Sequence, residues 1–224
     1  METYEIEIKS LLNGKDHALQ LEQKMRAMDP SFKHRGSHRQ LNHYFEGGQL
    51  KTLSEKIAPH LPGDKLMRLR DSIGKIKQHS LRSRLADDKT ILVIKMAIDD
   101  TSSDNGTARL EIESELPLTL DELDRILLDA GFGYQAKWSR ERSEYLYKGM
   151  NVSIDRNAGY GYLAEFEVVE SDPSKTETTK DKIRKHMQDL GVEELPQDRL
   201  ARMFDHYNKN WQDYYGTEKT FVIY

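Results

Sequence analysis

Glu5-Ile6-Glu7-Ile8-Lys9 is the stretch on which the fold turns. Strand side chains alternate between faces, so Glu5, Glu7 and Lys9 share one face while Ile6 and Ile8 share the other. Two carboxylates and an ammonium in a row make either a wetted face or a site for a cation and an anion. Later strands repeat the pattern. Leu81 to Leu85 carries Arg82 and Arg84, and Thr90 to Ile98 carries Lys95 on the parity of Ile91 and Val93. Thr107 to Leu116 carries Arg109, Glu111 and Glu113. Strands over 134–147, 151–156 and 162–169 carry Arg140 and Arg142, Asp155, and Glu165 and Glu167. The opposite parity is mostly apolar, as at Leu92, Ile94, Val152, Ile154, Phe166 and Val168.

Between these strands run helical patterns. Ala18, Leu21, Met25 and Met28 mark a helix over 15–28 that Asp29-Pro30 ends. Residues 38–45 alternate as a second strand closed by Gly47-Gly48, and 49–79 is helical with a break from Pro59 to Gly63. Thr119 opens a helix with a capping-box start. Two more helices span about 175–190 and 197–213. Lys148-Gly149 and Asn157-Ala158-Gly159 read as turns, and Ala86-Asp87-Asp88 turns a hairpin. The expected fold is α+β: an eight-stranded antiparallel β-barrel with helices packed outside, in one domain over 1–224.

A single strand with one charged face is explained by water on that face. Eight such strands tend to curl or close, and the helices need the apolar parity to pack on. The charged parity then faces inward. Unpaired charge in a dry interior costs several kcal/mol per ion, so such an interior must hold water and charged ligands. Paired carboxylates suit Mg²⁺ or Mn²⁺. Arg and Lys from several strands suit polyphosphate oxygens, with the Arg fork favouring bidentate contact.

Composition agrees. Charged residues are 32% of the 224, yet the net charge is only −4, which argues against a polybasic nucleic-acid surface. The chain has no cysteine, hence no disulfide or thiolate metal site. No segment nears 18 consecutive apolar residues, so no membrane span is expected and the cytoplasm is the expected location. The oligomeric state, monomer or homodimer, is left open.

Taken together, the motifs resemble those of the triphosphate tunnel metalloenzymes, the CYTH superfamily, which includes class IV adenylyl cyclases, thiamine triphosphatases and inorganic triphosphatases. The resemblance rests on Glu5-x-Glu7-x-Lys9, Arg82-x-Arg84 with Lys95 following, Arg109-x-Glu111-x-Glu113, Arg140 and Arg142 before Tyr145, and Asp155 with Glu165-x-Glu167. It implies a tunnel binding a triphosphate, with metal on Glu5, Glu7, Glu111, Glu113, Asp155, Glu165 and Glu167. Lys9, Arg82, Arg84, Lys95, Arg109, Arg140 and Arg142 are the implied phosphate-binding and catalytic cations. Lys137 takes the place of Arg140 if a bulge shifts the register there. Asn42 stands where the family often has Asp, and Arg68-Leu69-Arg70 is a decoy without a lysine-bearing strand after it.

The leading expectation is a metal-dependent triphosphatase acting on inorganic triphosphate, a nucleoside triphosphate or thiamine triphosphate. An adenylyl cyclase is the alternative, and a non-catalytic polyphosphate-binding module the third. The eight histidines show no zinc-ligand spacing, His34 and His38 lying in a loop-like stretch. Lys180, Lys182, Arg184 and Lys185 read as a solvated helix face, and Trp211, Tyr214 and Tyr215 as packing groups.

Overall fold

The structure, a computed structural model, describes residues 4–76, 78–97 and 110–223. Among the described residues eight strands are joined by hydrogen bonds in the order β1-β8-β7-β6-β2-β3-β4-β5, and the pairings β1–β8, β8–β7, β7–β6, β2–β3, β3–β4 and β4–β5 are antiparallel. The strands are β1 (Tyr4–Leu12), β2 (Lys33–Gly47), β3 (Gln78–Ala86), β4 (Lys89–Ala97), β5 (Leu110–Glu115), β6 (Phe132–Tyr147), β7 (Met150–Asn157) and β8 (Gly161–Glu170). The α-helices are α1 (Lys15–Met28), α2 (Leu50–Lys56), α3 (Gly63–Ile73), α4 (Leu120–Asp129), α5 (Thr176–Leu190) and α6 (Gln197–Tyr214). The eight-stranded antiparallel architecture is therefore as expected. Its hydrogen-bonded order is open, with β1 and β5 as the outer strands.

The chain divides into two compact units, and the long strands β2 and β6 contribute to both. In the first unit, built from residues 4–38 and 139–223, Ile6, Ile8, Val152, Ile154 and Phe166 form one apolar face. Leu21 and Met25 of α1 and Ile183 and Met187 of α5 bury it. β6 turns into β7 through Lys148 (φ 46°) and Gly149 (φ 78°), the two positive values a type I′ hairpin requires. The C-terminal strand-like segment lies against the β7–β8 turn, where Gly159 N–H donates to Lys219 O and Phe221 N–H donates to Gly159 O. Tyr214 packs there with Tyr207 and Phe221, whereas Trp211 stacks edge-on against its neighbour Tyr215.

In the second unit, residues 39–97 and 110–138, Leu81, Leu92, Ile94 and Ile112 face Leu53, Leu69, Leu123 and Leu127 of the helices. Thr119 caps α4 through the expected box: Glu122 N–H donates to Thr119 Oγ1 at 3.3 Å, and Thr119 N–H donates to Glu122 Oε2 at 2.8 Å. Arg68, Leu69 and Arg70 lie on α3, with Leu69 buried, so that Arg-x-Arg is helical and not a strand motif. The expected helical stretch at 49–79 is α2 and α3, followed by the start of β3.

Alternation changes phase along β6. Phe132 and Tyr134 pack into the second unit's core, but Tyr145 and Tyr147 pack into the first unit's core. Even-numbered residues face the apolar side at one end of the strand and odd-numbered residues at the other.

Candidate functional site

In the first unit, β1 and β8 pair so that Lys9 stands opposite Glu165, Glu7 opposite Glu167, and Glu5 opposite Val169. The β7 partners of Glu165 and Glu167 are Ser153 and Asn151, and Arg142 of β6 pairs with Asp155. Alternation thus collects Glu5, Glu7, Lys9, Arg140, Arg142, Asp155, Glu165 and Glu167 on the face away from α1 and α5.

Their side chains form a chain of ion pairs. Lys9 Nζ lies 2.6 Å from Glu7 Oε1 and 3.4 Å from Glu165 Oε1. Arg142 Nη2 donates to Glu165 Oε2 at 2.5 Å, and its Nε and Nη2 clasp the two oxygens of Asp155 at 2.7 Å each. Arg140 Nη1 adds a third donor to Asp155 at 2.9 Å. Asp155 is 0% exposed, which is tolerable only because two guanidinium groups satisfy both its oxygens. Burial opposes the charge on Glu165, but Lys9, Arg142 and Arg140 outweigh it and hold its carboxyl well below the usual range. Burial likewise opposes the Lys9 ammonium, and Glu165 and Glu7 more than compensate, raising its pKa. Lys9 and Glu165 therefore both stay ionised near neutrality.

Beside this chain lies a cavity of about 140 Å³ lined by Arg35, Arg142, Glu144, Asn151, Ser153, Glu165 and Glu167, with Tyr145 and Val152. Arg35 Nη1 donates to Asn151 Oδ1 at 2.9 Å, and Ser153 Oγ donates to Glu165 Oε2 at 3.3 Å. Arg35, Glu144, Asn151 and Ser153 were not among the expected site residues. Asn151, Ser153 and Glu144 could have been found from parity, being even steps from Asp155 and Arg142. Arg35 could not, because β2 begins at Lys33 in a stretch without apolar alternation. His34 lies on that strand and not in a loop; its Nε2 is 3.1 Å from Ser37 Oγ and its ring 5.1 Å from that of Tyr145.

The second unit carries its own charged face. Arg82 Nη1 donates to Tyr44 OH at 2.6 Å, while its buried Nε has no hydrogen-bond partner among the described residues. Arg84 Nε donates to Asn42 Oδ1 at 2.9 Å, with Nη1 3.6 Å from Glu113 Oε2. Lys95 Nζ lies 3.1 Å from Glu111 Oε2. Asn42 thus serves Arg84 as an acceptor without charge. Lys137 Nζ sits 4.0 Å from the centre of the Tyr134 ring. Arg109 lies outside the described residues.

On the opposite, helix-covered side of this unit is a buried polar knot that sequence reading missed. Asp124 of α4 accepts from Ser83 Oγ and from Tyr134 OH at 2.7 Å, and its Oδ2 is 2.6 Å from His43 Nδ1. Burial opposes its charge, but hydrogen bonds from His43, Ser83 and Tyr134 lower its pKa. Its position offered a signal: Asp124 follows Leu120 by four and precedes Leu127 by three, on the helix's buried stripe. The knot ties α4 to β2, β3 and β6.

Among the described residues, no three carboxylate, imidazole or thiol groups stand together as a ready cage for a metal ion. The donors still fit a hard cation of the Mg²⁺ type. Glu7 and Glu167 are direct register partners on this face, with Lys9 Nζ 2.6 Å from Glu7 and Asn151 Nδ2 3.4 Å from Glu167. Such ions commonly take one or two protein carboxylates and complete their shell with water and substrate oxygens.

The CYTH domain family model matches residues 68–199, more than half of the chain, beginning after β1 and β2. The PH1819 protein of Pyrococcus horikoshii OT3 has a similar fold, with a TM-score of 0.61 at 22% identity, covering 91% of this chain and 99% of that one. A Vibrio parahaemolyticus protein described as a candidate adenylate cyclase aligns with a TM-score of 0.60 at 12% identity, over 92% of this chain and 99% of its own. HpAC1 of Hippeastrum, a candidate adenylyl cyclase described as having a dominant triphosphatase activity, aligns with a TM-score of 0.53 at 17% identity, over 92% and 96% of the two chains. No curated protein matches. With antiparallel strands that place acidic and basic residues on one face and helices on the other, and a family match over more than half its length, the chain belongs to the CYTH domain family.

Proposed function

We propose that the protein is a divalent-metal-dependent hydrolase of a triphosphate substrate, with the charged face of the first unit carrying the chemistry. The observation that supports this most is the adjacency, on one face, of the opposed carboxylates Glu7 and Glu167 and the cations Lys9, Arg140 and Arg142. A divalent cation bound at the carboxylates supplies neutralisation of phosphate charge and acidification of a water. Glu5, Glu7 and Glu167 are the residues that would hold it, with Glu165 and Asp155 in support.

Lys9, Arg140 and Arg142 bind and orient the phosphate oxygens. Their ion pairs fix their positions before substrate arrives, so little ordering remains to be done in the transition state. As negative charge builds on the leaving oxygen, these cations stabilise it at no reorganisation cost. A carboxylate of the Glu-x-Glu strand positions the attacking water. Arg82, Arg84 and Lys95, with Glu111 and Glu113, are proposed for the same chemistry from β3, β4 and β5, and Arg109 is proposed with them from the sequence motif alone. The triphosphatase activity described for HpAC1 on a similar fold supports hydrolysis over cyclisation.

The test is incubation of purified protein with tripolyphosphate, ATP and thiamine triphosphate in Mg²⁺ or Mn²⁺, followed by product resolution. Orthophosphate is the expected product. Cyclic AMP with pyrophosphate identifies a cyclase, and binding without turnover a polyphosphate-binding module.

A further inference from the structure

Asn157 ends β7 two residues after Asp155, and alternation places its side chain on the face of Asp155, Ser153 and Asn151. Its register partner on β6 is Arg140. Only 8% of the residue is exposed, and among the described residues its buried Nδ2 has no hydrogen-bond partner. Buried donors are nearly always paired, because an unmade bond in a dry place is costly, so an orphan next to a charged site calls for a ligand atom. An amide nitrogen can only donate, which requires that atom to be an acceptor. With Arg140 beside it and Arg142 two pairs along the ladder on the same face, the acceptor these surroundings favour is an anionic oxygen.

We infer that Asn157 is a substrate-binding residue whose amide donates to a phosphoryl oxygen of a bound polyphosphate, next to the guanidinium of Arg140. This rests on the triphosphate reading of the face and extends it to a residue outside the charged motifs. A neutral donor has a use there. It contacts the anion without adding a cation for Asp155 to capture, so its hydrogen bond stays available when the ion pairs are closed.

The experiment is calorimetric titration of the full chain with tripolyphosphate in EDTA, which prevents turnover, for wild type, Asn157→Ala and Asn157→Asp. Apo melting temperatures are measured alongside. A hydrogen bond to a charged group corresponds to about a tenfold change in affinity. Asn157→Ala is expected to bind about tenfold more weakly with little change in apo melting. Asn157→Asp, which keeps the shape and sits beside Arg140, is expected to bind more weakly still, because a carboxylate repels the anion. Wild-type affinity in both variants overturns the inference, and so does a lowered melting temperature with unchanged affinity. If wild type binds and hydrolyses tripolyphosphate while the variants match it, only the role of Asn157 falls. If wild type neither binds nor hydrolyses it, the triphosphate reading falls as well.

Discussion

The two units hold their arginines differently. In the first, Arg140 and Arg142 are clasped by carboxylates, Asp155 and Glu165, one of them wholly buried. In the second, Arg82 and Arg84 donate hydrogen bonds to neutral groups, Tyr44 OH and Asn42 Oδ1, with Glu113 at 3.6 Å from Arg84 as a looser, half-exposed charge partner. An arginine held by a carboxylate is oriented by it, and both partners depend on the pair for stability. One held by a neutral acceptor is oriented without a buried carboxylate depending on it. The first face therefore ties stability to charge, whereas the second leaves them separable.

The largest expected effect breaks the first arrangement. Arg142→Met leaves Asp155 and Glu165 each with fewer donors, and loss of one partner of a buried network should cost about 3 kcal/mol. For a chain of this size that lowers the melting temperature by roughly 6–12 °C, measured by calorimetry. An unchanged melting temperature would show that the ion pairs are incidental.

Acid sharpens the contrast next. Because the folded-state pKa of Glu165 is depressed, its contribution is present above the ordinary carboxylate value of 4.5 and is lost as pH falls below it. Denaturant melts from pH 7 to pH 3 should therefore show a drop in stability that Glu165→Gln makes shallower. Tyr44→Phe removes no carboxylate and should leave the acid slope as it is.

Smaller again is Arg84→Met, which removes a hydrogen bond to Asn42 and a 3.6 Å ion pair with the half-exposed Glu113, and should cost about 1 kcal/mol of stability. Its affinity for tripolyphosphate should nevertheless fall about tenfold or more, as loss of a charge-assisted contact implies. If the stability loss matches that of Arg142→Met, the distinction between the faces is wrong. Tyr44→Phe is the mildest change, with an expected loss of about 1 kcal/mol or less and Arg82 left in place.

Much of this was legible in the sequence, and for identifiable reasons. Period-two alternation located Glu5 to Lys9 and Glu165 to Glu167 on one face because Ile6, Ile8, Phe166 and Val168 mark the other. Turn chemistry located Lys148-Gly149, where two positive φ values are needed. The same signals failed where polarity carries no period. The first residues of β2, from Lys33 to His38, are polar on both faces, so the strand looked shorter and Arg35 went unseen. The phase change in β6 also cannot be read from alternation, because residues 137–144 are polar at nearly every position. Asn157 was read only as part of a turn, since an uncharged residue at a strand's end carries no charge pattern.

The central claim is metal-dependent triphosphate hydrolysis on the first unit's face, and the most direct measurement is orthophosphate release from tripolyphosphate by wild type and Glu7→Gln. Wild type should release orthophosphate with Mg²⁺ or Mn²⁺ and stop in EDTA, while folded Glu7→Gln should lose most of that rate. Full turnover by Glu7→Gln, or a wild type that binds tripolyphosphate without cleaving it under either metal, would contradict the account.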